Sequence, residues 1–107
     1  MVDTGLHALR WDRARSVDYL AQQAGLPRLE AETETDRYLN MPGQALAYML
    51  GQRAIVELRQ ELAARDGAGF DLRAFHDELL GHGSLPLATL RRQLPAWVRP
   101  RPEAAQV

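Results

Sequence analysis

The sequence contains no cysteine, no lysine and no long apolar run. Without cysteine it has no disulfide, no thiolate metal ligand and no thiol nucleophile. No stretch approaches the ~20 apolar residues that a membrane-spanning helix needs. The first residues, which include Asp3, lack the basic-then-apolar pattern of a signal peptide. These absences predict a cytoplasmic location by default and no membrane partner.

All thirteen basic residues are arginines, and fourteen acidic residues leave a formal net charge of −1. The arginines are dispersed and interleaved with acids, which indicates a compositional bias rather than a phosphate-binding surface. So balanced a charge gives no electrostatic argument for a nucleic-acid partner. With 107 residues, 46% of them hydrophobic, the chain is expected to fold as one domain at most.

Apolar residues recur at helical spacing, and no segment alternates with the period of two that a strand shows. The sequence therefore predicts an all-α, bundle-like fold of five or six helices. Glycine, proline and capping aspartates divide it into helices over residues 2–10, 13–24, 28–39, 42–66, 72–81 and 86–98. Residues 2–98 are predicted to form a single helical domain, and residues 99–107 a flexible tail.

The stretch around Pro42 stands out within this pattern. Proline suits the first turn of a helix and pushes the preceding residue out of the α region, so a long central helix is predicted to start at Pro42. From Ala45 to Leu50 every position is apolar or aromatic, which is typical of a helix buried on all sides. Gln44 and Tyr48, four residues apart, share one face of this predicted helix.

The same stretch carries a family pattern, E-x-D-R-Y-x-x-x-P-G-Q-A-L-A-Y-x-x-G, from Glu34 to Gly51. Further patterns flank it: V-D-T-G-L-H-A-L-x-W from Val2, F-D-L-R-x-F-H-D from Phe70, and G-x-L-P-L from Gly83. Together they resemble the bacterial domain-of-unknown-function 885 (DUF885) family over about residues 2 to 98. The resemblance implies the C-terminal segment of a longer, helical zinc-metallopeptidase-like protein, and any export signal would then lie upstream.

In the family the metal-binding motif is a His-Glu helix that lies upstream of the matched region. No position of this chain matches it, so the resemblance implies zinc elsewhere, no cofactor or metal ligand here, and no catalysis by this chain alone. Late helices in such peptidases provide Arg, Tyr and His side chains that bind a peptide-like substrate. Carried over position by position, this gives the substrate-cleft candidates Arg37, Tyr38, Gln44, Tyr48 and His7.

Each candidate has a structural alternative. Arg37 can pair with a neighbouring acid, either Glu34 or Asp36. Tyr38 and Tyr48 can be core aromatics, Gln44 can satisfy local backbone groups, and His7 can be an ordinary helix residue.

The residues themselves argue against metal binding and nucleophilic catalysis by this chain. His76 and His82 are six apart and do not share a helical face, and H-E-x-x-H is absent. Ser16 and Ser84 have no recognisable His/Asp setting.

Two functions remain open. In the first, the segment supplies one wall of a substrate cleft to an upstream catalytic part of the family. In the second, it is a free-standing helical interaction module that binds a second copy of itself or covers another partner. Both predict an exposed apolar patch larger than the few hundred Å² usual for monomers, because so short a chain cannot surround a helix that is apolar on every side.

Overall fold

The computed structural model describes residues 1–101, and all regular secondary structure within that range is helical. The six α-helices are α1 Val2–His7, α2 Arg13–Gln23, α3 Arg28–Asn40, α4 Ala47–Asp66, α5 Leu72–Gly81 and α6 Leu87–Trp97. Short 3-10 turns cover Gln44–Leu46 and Gly67–Gly69. The predicted all-α class is confirmed. Over the same residues, none of the helices combines the length and hydropathy of a membrane span.

The chain forms two compact units, Met1–Met49 and the residues from Leu50 onward. The first unit contains α1, α2 and α3, and the second is built on most of α4 together with α5 and α6. The prediction that residues 2–98 make a single domain stays a prediction.

The first unit packs around Val2, Leu6, Val17, Leu20 and Ala31, all of which are buried. A helix as short as α1 is marginal in isolation, so its burial against α2 and α3 stabilises it.

A close approach fixes the chain after α1. The Trp11 ring lies against Gly5, where an added Cβ atom would come within 2.4 Å of the indole. Glycine is therefore required at this position for steric reasons. Asp12 caps α2 as predicted, its side chain accepting a 2.8 Å hydrogen bond from the Arg15 amide.

The second unit packs around a buried cluster formed by Leu58, Leu62, Phe75, Leu90, Leu94 and Val98. Asp71 caps α5 as predicted. The Arg65 guanidinium donates to the carbonyl oxygens of Pro95 and Val98, which satisfies backbone acceptors at the end of α6.

The predicted tail begins at residue 99. Within it, the Arg101 amide donates to the Gly69 carbonyl at 2.8 Å and its guanidinium pairs with Asp71. Residues 102–107 of that predicted tail lie outside the described residues.

The helix predicted to start at Pro42 is corrected in two respects. Gly43 adopts a left-handed backbone with φ of 79°, so the chain turns there and the α-helix begins only at Ala47. The leading half is also not buried by this chain: Tyr48, Met49 and Leu50 are 74%, 59% and 56% exposed. The prediction that the apolar run from Ala45 to Leu50 is buried on all sides is therefore wrong for the described residues.

Phe75 is 1% exposed at the centre of the second unit, and Phe75→Ala is expected to lower the free energy of unfolding by about 3–5 kcal/mol. Leu80→Ala is the matched control, because Leu80 lies on the same helix and is 74% exposed. Its effect should stay within about 0.5 kcal/mol. Chemical denaturation followed by circular dichroism measures both, and equal losses would contradict the assigned core.

Candidate functional site

The Arg37 guanidinium, in the last turn of α3, is held by two polar partners. Nε and Nη2 donate to the Glu34 carboxylate, with Nη2 to Oε2 at 2.7 Å, and Nη1 donates to the Gln44 side-chain oxygen. Of the two acids considered from the sequence, Glu34 is therefore the partner of Arg37. Asp36 is bound instead by Arg13, at 2.7 and 2.9 Å.

This arrangement shifts the ionisation of both partners. The hydrogen bond from Arg37 holds the pKa of Glu34 below its usual value. The same hydrogen bond raises the pKa of Arg37, and interactions with the Tyr38 and Tyr48 phenols add to that rise. Arg37 is therefore a permanent cation whose bidentate edge is already occupied by a carboxylate of the same helix.

Tyr38 is half-buried and packs against the core of the first unit. The Arg37 guanidinium carbon lies 4.8 Å from the centre of its ring, within the range of a cation–π contact. Burial raises the pKa of the Tyr38 phenol, and the neighbouring Glu34 carboxylate raises it further. Tyr38 thus stays a neutral hydrogen-bond donor at physiological pH.

His7 does not extend toward Arg37. Its Nε2 lies 2.9 Å from the Tyr38 backbone oxygen, at the carboxyl end of α3. His7 is therefore a capping residue of α3 as well as a candidate of the sequence analysis.

Gln44 and Tyr48 differ in their surroundings. Gln44 is half-buried and its side-chain oxygen accepts from Arg37, rather than satisfying local backbone. Tyr48 is 74% exposed, so the alternative that it is a core aromatic is wrong within this chain. Because Gln44 belongs to the 3-10 turn and Tyr48 to α4, the single helical face predicted for them is interrupted.

Asp3 belongs to the same region and sequence reasoning missed it as a site residue. Asp3 is only 4% exposed, and its carboxylate accepts a hydrogen bond from the Gly43 amide at 3.0 Å. The signal that could have found it is its spacing from His7, since residues four apart share a helix face.

Two recesses flank Tyr38 in the first unit. One, of about 230 Å³, is lined by residues that include Asp3, Tyr19 and Leu46. The other, of about 550 Å³, is lined on the α3 side by residues that include Leu29 and Glu34. The first is smaller than a usual ligand pocket.

The described residues do not fit a zinc ion. Within residues 1–101 no three His, Asp or Glu side chains are grouped as metal ligands. The His82 ring stacks on the Trp97 ring, with 3.7 Å between the ring centres. The His82 Nδ1 atom lies 2.9 Å from the Glu78 carbonyl oxygen.

The ion pair makes a prediction about acid titration. Because the pKa of Glu34 is lowered in the folded state, the pair stabilises the fold above the ordinary carboxyl pKa and loses that effect as pH falls through the lowered value. Arg37→Gln should move the pKa of Glu34 up toward its ordinary value, as measured by carboxyl ¹³C NMR. Arg28→Gln, which removes a cation paired with Asp18, is the control and should leave Glu34 unchanged. An unaltered Glu34 titration in Arg37→Gln would contradict the assigned pair.

Comparison with known proteins assigns this chain to a family. The family model described as "Bacterial protein of unknown function (DUF885)" matches residues 1–94. The crystal structure of the putative lipoprotein from Colwellia psychrerythraea is similar to this chain, with 43% sequence identity and a TM-score of 0.85. That similarity covers 91% of this chain and 17% of the Colwellia chain. This chain thus spans about a sixth of the length of that protein.

No curated protein matches the chain. The family model nevertheless covers most of its length, and the predicted resemblance is confirmed. The chain belongs to the DUF885 family of bacterial proteins of unknown function.

Proposed function

We propose that this chain is a segment of a DUF885-type metallopeptidase that docks on the larger remaining part of the family fold and supplies one wall of its substrate cleft. The metal ligands and the catalytic groups lie in that remaining part. The observation that carries the proposal is the exposed apolar start of α4, next to the polar cluster around Arg37.

The exposed segment consists of Tyr48, Met49 and Leu50, each more than half exposed. Met41, just before the turn, is 48% exposed as well. Exposed apolar surface contributes about 25 cal/mol per Å² when it is removed from water, so a run of large side chains favours a covering surface. We call this run the α4 apolar segment.

The length of the Colwellia protein supports the proposal that the rest of the family fold covers the α4 apolar segment. The region similar to this chain makes up 17% of that protein, so most of its residues belong to other parts of the molecule. A body of that size can surround a helix on several sides, which a segment of this length cannot.

The polar cluster around Arg37 supports the cleft role, although Arg37 itself is not assigned to the substrate. The carboxylate-binding edge of Arg37 is taken by Glu34, so Arg37 is better suited to hold Gln44 than to clamp a substrate carboxylate. Within residues 1–101, neither the Gln44 amide nitrogen nor the Tyr48 hydroxyl makes a hydrogen bond. These two groups are the donors that we assign to peptide carbonyl oxygens of a substrate.

The α4 apolar segment also suits a second candidate function, a helical module that associates with another copy of itself. A two-fold interface would bring the same apolar side chains of both copies together. The two functions differ in what covers the segment, and association experiments distinguish them.

Met49→Arg is expected to weaken binding of this chain to the separately expressed remainder of the DUF885 protein by at least tenfold, or about 1.4 kcal/mol. The reason is that the variant buries a charge without a partner at the interface. Leu80→Arg is the control, because Leu80 is 74% exposed on a different helix. Isothermal titration calorimetry measures binding, and sedimentation velocity measures self-association.

A discrete dimer of the chain alone, lost in Met49→Arg and kept in Leu80→Arg, would overturn docking on the family body and support the interaction module. A monomer that binds nothing would overturn both.

Tyr48→Phe in the complete, zinc-loaded DUF885 protein is expected to lower kcat for peptide hydrolysis by roughly 10²-fold, since removing one donor to a developing oxyanion has that effect. Gln44→Ala should mainly raise KM. Gln60→Ala is the control, because Gln60 is an exposed glutamine farther along α4. Unchanged kinetics in both Tyr48→Phe and Gln44→Ala would contradict the cleft role.

A further inference from the structure

The short helix α1 contacts the last turn of α3 and the turn that follows it. Asp3 and His7 are separated by one helical turn and face the same way. Asp3 accepts from the Gly43 amide, and His7 lies 2.9 Å from the Tyr38 carbonyl oxygen. Together they bracket the stretch in which α3 ends and the chain turns. We call Asp3 and His7 the α1 clasp.

The Asp3 half of the clasp is buried. Both carboxylate oxygens approach the Gly43 amide nitrogen, at 3.0 and 3.3 Å, in a residue 4% exposed. Burying a carboxylate is costly unless it is hydrogen-bonded, so the Gly43 amide offsets part of that cost. Gly43 presents its amide from a left-handed backbone that other residues adopt only with strain.

The His7 half caps a helix. Tyr38 lies in the last turn of α3, where carbonyl groups run out of helical N–H partners. A carbonyl oxygen only accepts, so His7 Nε2 carries the hydrogen in this contact. Nε2 of His7 is thereby committed to the backbone of α3.

Gln44 immediately follows the residue that Asp3 holds, and Arg37 immediately precedes the residue that His7 holds. The Arg37–Gln44 hydrogen bond therefore spans the two ends of the bracketed stretch. If either anchor is released, the turn at Gly43 is free to change, and the Gln44 side chain moves relative to the guanidinium.

We infer that Asp3 and His7 are positioning residues, which set the Arg37–Gln44 pair through the Gly43 amide and the Tyr38 carbonyl. This inference rests on the proposed function only where it gives the Arg37–Gln44 pair a role in a substrate cleft. Its geometry holds for the chain alone.

The test uses ¹⁵N NMR of the 107-residue chain with Asp3→Ala and Asp3→Asn. In Asp3→Ala the Gly43 amide should exchange with solvent at least tenfold faster, and the Gln44 side-chain amide and Arg37 Nε resonances should shift. Amides of Val17 and Leu20, in the buried core of the same unit, should keep their exchange rates. Asp3→Asn retains an acceptor oxygen of the same shape and should restore most of the Gly43 protection.

Thr35→Ala is the control for general loosening. Thr35 is fully buried, and its hydroxyl lies 3.5 Å from the Ser16 hydroxyl rather than bonding to Asp3 or His7. This variant should accelerate exchange across the unit without a selective effect at Gly43. Unchanged Gly43 exchange in Asp3→Ala, or the same uniform pattern as in Thr35→Ala without rescue by Asp3→Asn, would overturn the clasp.

The two proposals fail separately. A selective Gly43 response together with normal kinetics in Gln44→Ala and Tyr48→Phe would leave the clasp standing and overturn the cleft. Normal Gly43 exchange together with impaired kinetics in those variants would overturn the clasp alone.

Discussion

The polar cluster of the first unit depends on how one guanidinium, that of Arg37, is shared. Arg37 donates to Glu34 on its own helix, donates to Gln44 beyond the turn, and lies over the Tyr38 ring. Its planar group offers several fixed N–H directions, so it can join helix, turn and aromatic ring at once, which a lysine could not do with the same precision of geometry. Three residues of the family pattern around Pro42, namely Glu34, Tyr38 and Gln44, thus contact the same cation.

The helices were predictable because residues close to each boundary determine where a helix begins or ends. Asp12 and Asp71 cap α2 and α5 through their own side chains, and such signals need only a few neighbouring residues. The start of α4 was not predictable in this way. Pro42 permits a helix start, but the left-handed conformation of Gly43 delays it, and a glycine in sequence does not reveal the sign of its φ.

Burial was the harder inference. The run from Ala45 to Leu50 has the composition of a core helix, yet composition reports what a segment would bury and not which residues are present to cover it. The candidate site shows the same division. The Arg37–Glu34 pair lies three residues apart and was foreseen as an alternative. Asp3 and Gly43 are forty residues apart, and no spacing rule links them.

Gly5 has a wider significance than its size suggests. It lies between Asp3 and His7 on α1, and the indole of Trp11 occupies the space that any side chain there would need. A side chain at position 5 would require the tryptophan or α1 to move, and a shift of α1 would carry both anchors with it. We therefore expect position 5 to act as a remote determinant of the Gln44 orientation, thirty-nine residues along the chain.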